Sequence, residues 1–395
     1  MTPSETLSAQ ASQLLEHVRR ERARLLAMLN APSGGSQRNG FAPIILNNLR
    51  DQLDAQSKKL TSLIAAVSHG SELVSERKTY QRINKTCHDL FGECLAISIG
   101  KAIRELALDA NAFEIVEHLL GQLGEALQVP WPHVATLADS EYFATASQVI
   151  RIRFPALTIW DFPVAAHEFG HFVGPRLRSF NGESTPYQSF RAVRDLGLPE
   201  HLEEYFADMI AVFTLGPAYI HSCLLHRFDP AGEDGTTHPA DARRAHWILA
   251  SLEYIADHCE NPASSMFAED IQNRREDWRS AVAANGGLPL TAETEKILRK
   301  RARELCAKLY SAFPGAAFTT LQPALQLVAD FGRSPLTGAR PEIRHVLNAA
   351  WIIRLQGERL QREQKINATG SKASAGPAPG EIDQWAKQAC LRAIR

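Results

Sequence analysis

Apolar residues recur at helical spacing through the first third of the chain. In residues 5–30 and 43–67, leucine, isoleucine and valine fall three or four positions apart, which predicts two long amphipathic helices. Residues 31–36, composed of Ala, Pro, Ser and Gly, predict a flexible break between them. We expect the two helices to pair as a hairpin that either packs on the core or recruits a regulatory partner. Helical patterning continues over 90–103 and 112–127.

The pattern then changes to a strict alternation of apolar and polar residues over 150–154, which is typical of a half-buried strand. Pro155 ends this segment, and residues 157–160 predict a second short strand. Beyond these strands the apolar spacing is again helical. Later helices are predicted over 240–257, 291–311, 318–331, 341–365 and 381–394.

These elements predict a mainly α fold with one small, short-stranded sheet. Residues 366–380 are rich in Gly, Ala, Pro and Ser and predict a disordered linker, because such a composition cannot pack a core. We divide the chain into an N-terminal helical arm (1–80), a core (81–265), a C-terminal helical region (266–365), the linker (366–380) and a terminal helix (381–395).

Composition excludes several classes of function. The 43 basic and 44 acidic residues nearly cancel, so a nucleic-acid partner is not indicated. No run reaches the roughly 18–20 apolar residues that cross a bilayer, and no signal peptide is recognisable. The six scattered cysteines form no Cys-x-x-Cys pair and indicate a reducing compartment. We therefore predict a cytoplasmic protein without membrane insertion.

The candidate chemistry lies in the segment Ala165–Pro175, which contains His167-Glu168-Phe169-Gly170-His171. Two histidines four positions apart share one face of a helix and can bind one metal ion. Glu168 projects about 100° around the helix, beside the metal, where it can accept a proton from water. The alternative is a histidine pair on a core or solvated face. Gly170 costs about 1 kcal/mol relative to Ala, which predicts the close approach of a second helix.

The third ligand is predicted on a second helix that starts near Pro199 and ends at Gly216. Hydrolytic zinc sites use three protein ligands and leave one position open. Glu204 and Asp208 share one helix face among apolar residues, a repulsive pair unless a cation lies between them. We therefore predict Glu204 as ligand, with Asp208 accepting the ring N–H of His167.

Two neighbours on the same helix compete with Glu204 for the third position, namely His201 and Glu203. Elsewhere, the Cys-His clusters around residues 221–226 and 87–94 could bind a second metal, although a buried helix face explains them better.

With these residues in place, the chain resembles the gluzincin zinc metallopeptidases, of the thermolysin and CAAX-processing-peptidase type. Their motifs are His-Glu-x-x-His and a later Glu-x-x-x-Asp, and the resemblance is confined to the middle third. It implies Zn²⁺ bound by His167, His171 and Glu204, with Glu168 as general base and Asp208 supporting a ligand histidine. The chain departs from the membrane-embedded CAAX-processing peptidases in having no membrane span.

The resemblance implies two further features. The segment Thr237-His238-Pro239, followed by Arg244, is similar to a segment of the CAAX-processing type and implies that His238 or Arg244 steadies an oxyanion. Zincins also bind extended peptides on an edge strand, for which 150–154 or 157–160 are the candidates. The metzincin alternative requires a third histidine at position 177, which is Leu.

We therefore predict a zinc metallopeptidase that acts on a peptide or protein substrate. One alternative is a zinc hydrolase of a non-peptide amide, ester or epoxide, although the Gly-x-Met-Glu-Asn motif of one epoxide-hydrolase family is absent. Another is a non-catalytic scaffold or sensor with structural zinc, which would close the fourth position with a protein ligand.

Overall fold

The computed structural model is mainly α-helical, as the apolar spacing predicted. It describes residues 2–30, 43–106, 108–109, 111–131, 135–138, 142–144, 149–153, 158–178, 184–259, 263–331, 340–366 and 377–394. The chain divides into two compact units that are not contiguous in sequence. The first comprises Met1–Phe113 and Pro132–Phe154, and the second comprises Glu114–Trp131 and Pro155–Arg395.

Three long helices form the core of the first unit. They are α1 (Pro3–Asn30), α2 (Pro43–Ser68) and α3 (Leu73–Glu105). Helices α1 and α2 pack along each other, which confirms the predicted hairpin. Leucine and isoleucine side chains at helical spacing are buried between the three helices, together with the two cysteines of α3.

A three-stranded sheet belongs to the same unit. Its strands are β1 (Ala135–Ala138), β2 (Tyr142–Ala144) and β3 (Val149–Arg153), in the order β1-β3-β2. Strand β3 pairs in parallel with β1 and in antiparallel with β2. The strand predicted at 150–154 is therefore present, but it is central, and its backbone is not a free edge for a peptide.

The second unit contains the remaining helices. Those that carry or support the candidate site are α5 (Val164–Val173), α7 (Pro199–Leu215), α8 (Pro217–His226) and α9 (Asp241–Ala256). The others are α4 (Ala112–Ala126), α6 (Pro186–Arg191), α10 (Ala263–Ala284), α11 (Ala292–Ala312), α12 (Gln322–Ala329), α13 (Ile343–Ile366) and α14 (Pro379–Ile394). None of the described helices is both long and apolar enough to cross a membrane.

The second predicted strand is wrong. Thr158, Ile159 and Trp160 form a bend and turn instead, and residue 157 lies outside the described residues. The Thr158 hydroxyl donates to the Asp161 carboxylate at 2.5 Å, and the Asp161 amide donates back to the Thr158 carbonyl at 3.0 Å. This local hydrogen bonding satisfies the backbone without a partner strand.

The structure also differs from the predicted division of the chain. The boundaries placed after residues 80 and 265 fall within α3 and α10, and the sheet segment 135–153 belongs to the helical unit that precedes it. Residues 31–36 and most of the predicted linker, 367–376, lie outside the described residues.

Candidate metal centre

Helix α5 carries the histidine pair and is almost entirely buried. It begins after Pro163, whose ring fixes φ at a helical value, and it passes into a short 3₁₀ turn at Gly174. Phe169 and Phe172 pack edge-on against the Trp131 ring. Because this apolar face anchors the helix, the imidazoles of His167 and His171 project from it in a fixed direction.

Helix α7 supplies the opposing carboxylates. It begins at Pro199, ends before Gly216, and buries both Glu204 and Asp208. A Cβ atom added at Gly170 would lie 2.6 Å from the Ala207 Cα, well inside normal contact distance. The prediction that Gly170 allows a second helix to approach closely is therefore confirmed.

Three ligand atoms meet between these helices. The Nε2 atoms of His167 and His171 lie 3.3 Å apart. The carboxylate of Glu204 lies 3.3 Å from His167 Nε2 through Oε2 and 3.4 Å from His171 Nε2 through Oε1. Among the described residues, this is the group of His, Cys, Asp and Glu side chains arranged to hold a metal ion.

The arrangement fits a zinc ion by spacing, donor type and charge. Ligand atoms bound tetrahedrally at about 2.1 Å lie about 3.4 Å apart, and each histidine Nε2 lies at about this distance from the other and from one oxygen of the Glu204 carboxylate. Glu204 Oε2 is buried, and its neighbours among the described residues are His167 Nε2 at 3.3 Å and Arg244 Nη2 at 3.8 Å, so a cation would satisfy it more fully. The carboxyl groups of Glu204 and Asp208 are both buried, and a cation at this point would add positive charge that both of them favour.

Asp208 is fully buried and organises the far side of the site. Its Oδ1 lies 2.8 Å from His167 Nδ1 and accepts a hydrogen bond from the Tyr219 hydroxyl at 2.5 Å. Arg244 of α9 donates to both carboxylate oxygens, from Nε at 2.9 Å and from Nη2 at 2.7 Å. Nδ1 of His167 thus faces Asp208, and Nε2 faces the other two proposed ligands, His171 and Glu204.

The surroundings shift the pKa values of these groups strongly. Burial opposes charge on His167, but hydrogen bonds to Asp208 and Glu204 raise its pKa to about 10. Burial and the neighbouring His167 lower the pKa of His171 to about 4. Burial would raise the pKa of Glu204, yet its hydrogen bond with His167 holds it at about 2. At neutral pH His171 thus offers a neutral ring and Glu204 an ionised carboxylate, whereas His167 carries a second proton that a metal ion would have to displace from Nε2.

The other predicted site residues lie around this centre. Glu168 is buried in α5 next to His167. His238 precedes α9, is 61% exposed, and places Nε2 3.5 Å from Glu204 Oε1. Arg244 Nη2 is 3.8 Å from Glu204 Oε2, but its guanidinium is held by Asp208. The structure therefore places His238 at the open side of the site and Arg244 behind it.

The two competitors for the third position face elsewhere. Glu203 accepts a hydrogen bond from the Tyr187 hydroxyl at 2.7 Å and forms an ion pair with Arg191 at 2.8 Å. The ring of His201 contacts the Gly235 carbonyl through Nε2 at 2.9 Å. Both side chains leave α7 on other faces than Glu204, as the 100° step of a helix requires.

The other Cys-His clusters do not form a comparable group within the described residues. In the cluster at 221–226, His221 pairs instead with Asp270 at 3.1 Å. In the cluster at 87–94, burial raises the pKa of both thiols, which disfavours the thiolate that a metal requires.

Sequence reasoning did not identify Tyr219. This residue lies on α8 and is 1% exposed, and its ring is parallel to that of His167 with the two ring centroids 6.4 Å apart. A tyrosine after Gly216-Pro217 has no motif spacing to Glu204 that would mark it in the sequence. The chain has no significant match among protein-family models, curated proteins or solved structures, so the geometry of the site is the basis for a functional assignment.

Proposed function

We propose that this protein is a zinc-dependent metallopeptidase. The observation that supports the proposal is the convergence of His167, His171 and Glu204. The two Nε2 atoms lie 3.3 Å apart, each lies 3.3–3.4 Å from one oxygen of the Glu204 carboxylate, and a buried carboxyl group occupies the adjacent position 168. When bound, zinc would lower the pKa of a coordinated water towards about 7 and polarise a carbonyl oxygen. A structural zinc site would instead close its fourth position with a protein ligand.

Glu168 is the proposed general base. Its carboxylate would accept a proton from the attacking water and deliver that proton to the departing amine. Its burial restricts competing solvent, which favours proton transfer within the site. Glu204 and Asp208 cannot take this role, because the first is a ligand and the second is saturated by three donors.

His238 is the proposed donor to the oxyanion. It is the most exposed of the residues around the centre, and a substrate carbonyl would arrive from this open side. His171, with 21% of its side chain exposed, borders the same opening. Arg244 would act indirectly, because its bidentate contact with Asp208 fixes the orientation of His167.

Metal analysis combined with a Glu168→Gln variant tests the proposal. The purified protein should contain about one zinc per chain, and Glu168→Gln should keep that zinc while peptide hydrolysis falls by about 10²–10⁴-fold. His171→Ala should lose the metal. Glu200→Gln, which removes an exposed carboxylate at the start of α7, is the matched control and should retain both metal and activity.

Substrate class is tested by presenting a peptide library beside small amides and esters. Cleavage of peptides supports the proposal, whereas hydrolysis of the small substrates alone would assign the centre to a non-peptide hydrolase. Retention of activity in Glu168→Gln would refute the role of this carboxylate.

The proposed compartment is the cytoplasm. All six cysteines are unpaired, and five of them are buried. Unpaired buried thiols are typical of proteins that fold in a reducing environment. Localisation of the tagged full chain in cell fractions would test this assignment.

A further inference from the structure

A cavity of about 340 Å³ lies on the side of α9 that faces away from the metal centre. It is formed by α9, α10, the first turn of α11 and the segment that connects α10 to α11. Ala242, His246 and Leu249 of α9 line it. Because a helix turns about 100° per residue, the Arg244 side chain, which binds Asp208, leaves α9 on the opposite face. The cavity is therefore separate from the proposed zinc ligands.

Most of the wall is apolar. The Trp278 and Val282 side chains of α10 are more than nine-tenths buried, and Leu290 in the connecting segment is half-buried. The volume lies within the range of about 300–1,000 Å³ that is usual for small-molecule sites. Because an apolar cavity of about 150 Å³ already holds benzene, this one has room for a molecule of two fused rings.

One acceptor in the wall has no donor among the described residues. The ring of His246, whose side chain is 8% exposed, donates from Nε2 to the Glu295 carbonyl oxygen at 3.0 Å. Burial lowers the pKa of His246, so the ring is neutral and its Nδ1 carries a lone pair. The carboxylate oxygen Oε1 of Glu295 lies 3.9 Å from Nδ1, beyond hydrogen-bond distance, and is itself an acceptor.

A ligand can reach this Nδ1 atom from the cavity. His246 belongs to the wall, and its Nδ1 is not one of the enclosed nitrogen atoms without a partner in the described part of the chain, which include Nδ1 of His201 and of His345. An N–H or O–H group of a ligand would satisfy the lone pair, whereas a ligand that can only accept would leave it unpaired. The ligand must therefore carry a donor.

The charged side chains of the wall are already paired. Oε1 of Glu295 lies 3.6 Å from Arg279 Nη2, and Arg275 forms an ion pair with Glu253. These matched charges give no net advantage to an anion or to a cation.

The shape and chemistry of the cavity together define the ligand. A flat ring beside the Trp278 indole would gain aromatic contact in addition to the burial of its apolar surface. We propose that this cavity binds an uncharged aromatic molecule of one or two rings whose N–H or O–H group donates to His246 Nδ1.

Titration of the full-length protein with indole and with benzofuran tests the proposal. The two molecules have nearly the same shape, but benzofuran carries a ring oxygen where indole carries an N–H. Binding is followed by ¹⁵N NMR through the indole N–H signal of Trp278, which the Trp278→Phe variant identifies. We expect a saturable shift with indole and binding about three- to tenfold weaker for benzofuran, because one hydrogen bond is lost.

A histidine variant tests the hydrogen bond itself. In His246→Gln the amide can still donate to the Glu295 carbonyl, but no acceptor remains at the position of Nδ1. The preference for indole over benzofuran should then fall to about one. If His246→Gln keeps the preference, or if the unmodified protein shows none, the assignment of Nδ1 is wrong.

A matched pair of alanine variants locates the bound molecule. Ala283 and Ala284 are neighbouring exposed residues of α10, and only Ala283 lines the cavity. Ala283→Phe should abolish the shift while the circular dichroism spectrum is retained, and Ala284→Phe should bind indole normally. His171→Ala should also bind it normally, so this proposal is tested separately from the metal centre. The proposal is overturned if the Trp278 signal does not respond to indole or if Ala283→Phe binds as well as Ala284→Phe.

Discussion

Replacing Gly170 with Ala tests whether backbone contact sets the spacing of the proposed metal ligands. The added Cβ would lie 2.6 Å from the Ala207 Cα and 3.0 Å from the Ala207 carbonyl oxygen. Both atoms belong to the backbone of α7, so no side chain can rotate away. To restore ordinary contact, which begins at 3.4 Å, helices α5 and α7 must move apart by about 0.8 Å.

This displacement acts on stability and on metal affinity separately. Overpacking costs about 1–3 kcal/mol, and the better helix propensity of Ala returns about 1 kcal/mol, so unfolding free energy should fall by up to about 2 kcal/mol. The same movement takes the distance between His167 Nε2 and Glu204 Oε2 from 3.3 Å to about 4 Å. Zinc affinity should then fall by about 10–100-fold or more, as when the support of a ligand is lost.

Urea unfolding of the chelator-treated protein and competition with a fluorescent zinc chelator measure the two effects. Gly121→Ala in α4 is the matched control, because a Cβ there meets no atom within 4 Å. It should stabilise the protein by about 0.5–1 kcal/mol without changing zinc affinity. If Gly170→Ala behaves like this control, the close approach of the two helices does not set the ligand spacing.

Three further predictions concern the same unit. Arg244→Met should destabilise the protein by about 3–5 kcal/mol in urea unfolding, because Asp208 keeps its buried charge and loses its ion pair, whereas Arg243→Met should change stability by less than about 0.5 kcal/mol. Burial and then Arg344 lower the pKa of His345 in the folded protein to about 4. Between about pH 6.5 and 4 this histidine is therefore protonated in the unfolded chain and neutral in the folded one. The contribution of neutral His345 to the free energy of unfolding is complete above about pH 6.5 and falls by about 3 kcal/mol as the pH drops to about 4. His345→Leu should flatten this part of the profile of stability against pH. An unchanged profile would contradict the lowered pKa of His345. Chelation should abolish hydrolysis reversibly while circular dichroism is retained, and zinc at about 100 times its dissociation constant should add about 2.7 kcal/mol of stability.

The sequence predicted the metal-site helices well because their signals are local. Pro199 and Gly216 bound α7 as expected, and the four-residue spacings of the histidines and carboxylates determine which side chains share a face. Gly170 even indicated the contact with α7, since an unfavourable residue within a helix needs a packing reason. The proposed ligand set needed no knowledge of distant packing.

Other features depended on contacts that sequence spacing does not reveal. Either His238 or Arg244 was expected at an oxyanion, and tertiary packing brings the Arg244 guanidinium to Asp208, 36 positions earlier. Trp160 was assigned to a short strand over 157–160, although it is buried in a turn. Helix α6 was overlooked, although Thr185 and Gln188 form a capping box that was readable in the sequence.

The division of the chain into two non-contiguous units could not be predicted from the sequence either. A sheet segment that returns to an earlier helical unit does so through tertiary packing, which the order of the elements along the sequence does not reveal. The division into units depends on which elements pack together. The helical spacing over 112–127 does not show that this segment belongs mainly to the second unit and interrupts the sequence of the first.

Asp208 joins four helices at a single carboxylate, since its partners His167, Tyr219 and Arg244 come from α5, α8 and α9. If the proposed reaction were lost, the architecture around Asp208 would still be required for the fold. A descendant that replaced Glu168 would keep its shape and could acquire a new role, whereas one that replaced Asp208 would lose the junction itself. Relatives without the proposed activity are accordingly expected to retain the buried aspartate and its arginine even where the proposed general base, Glu168, is replaced.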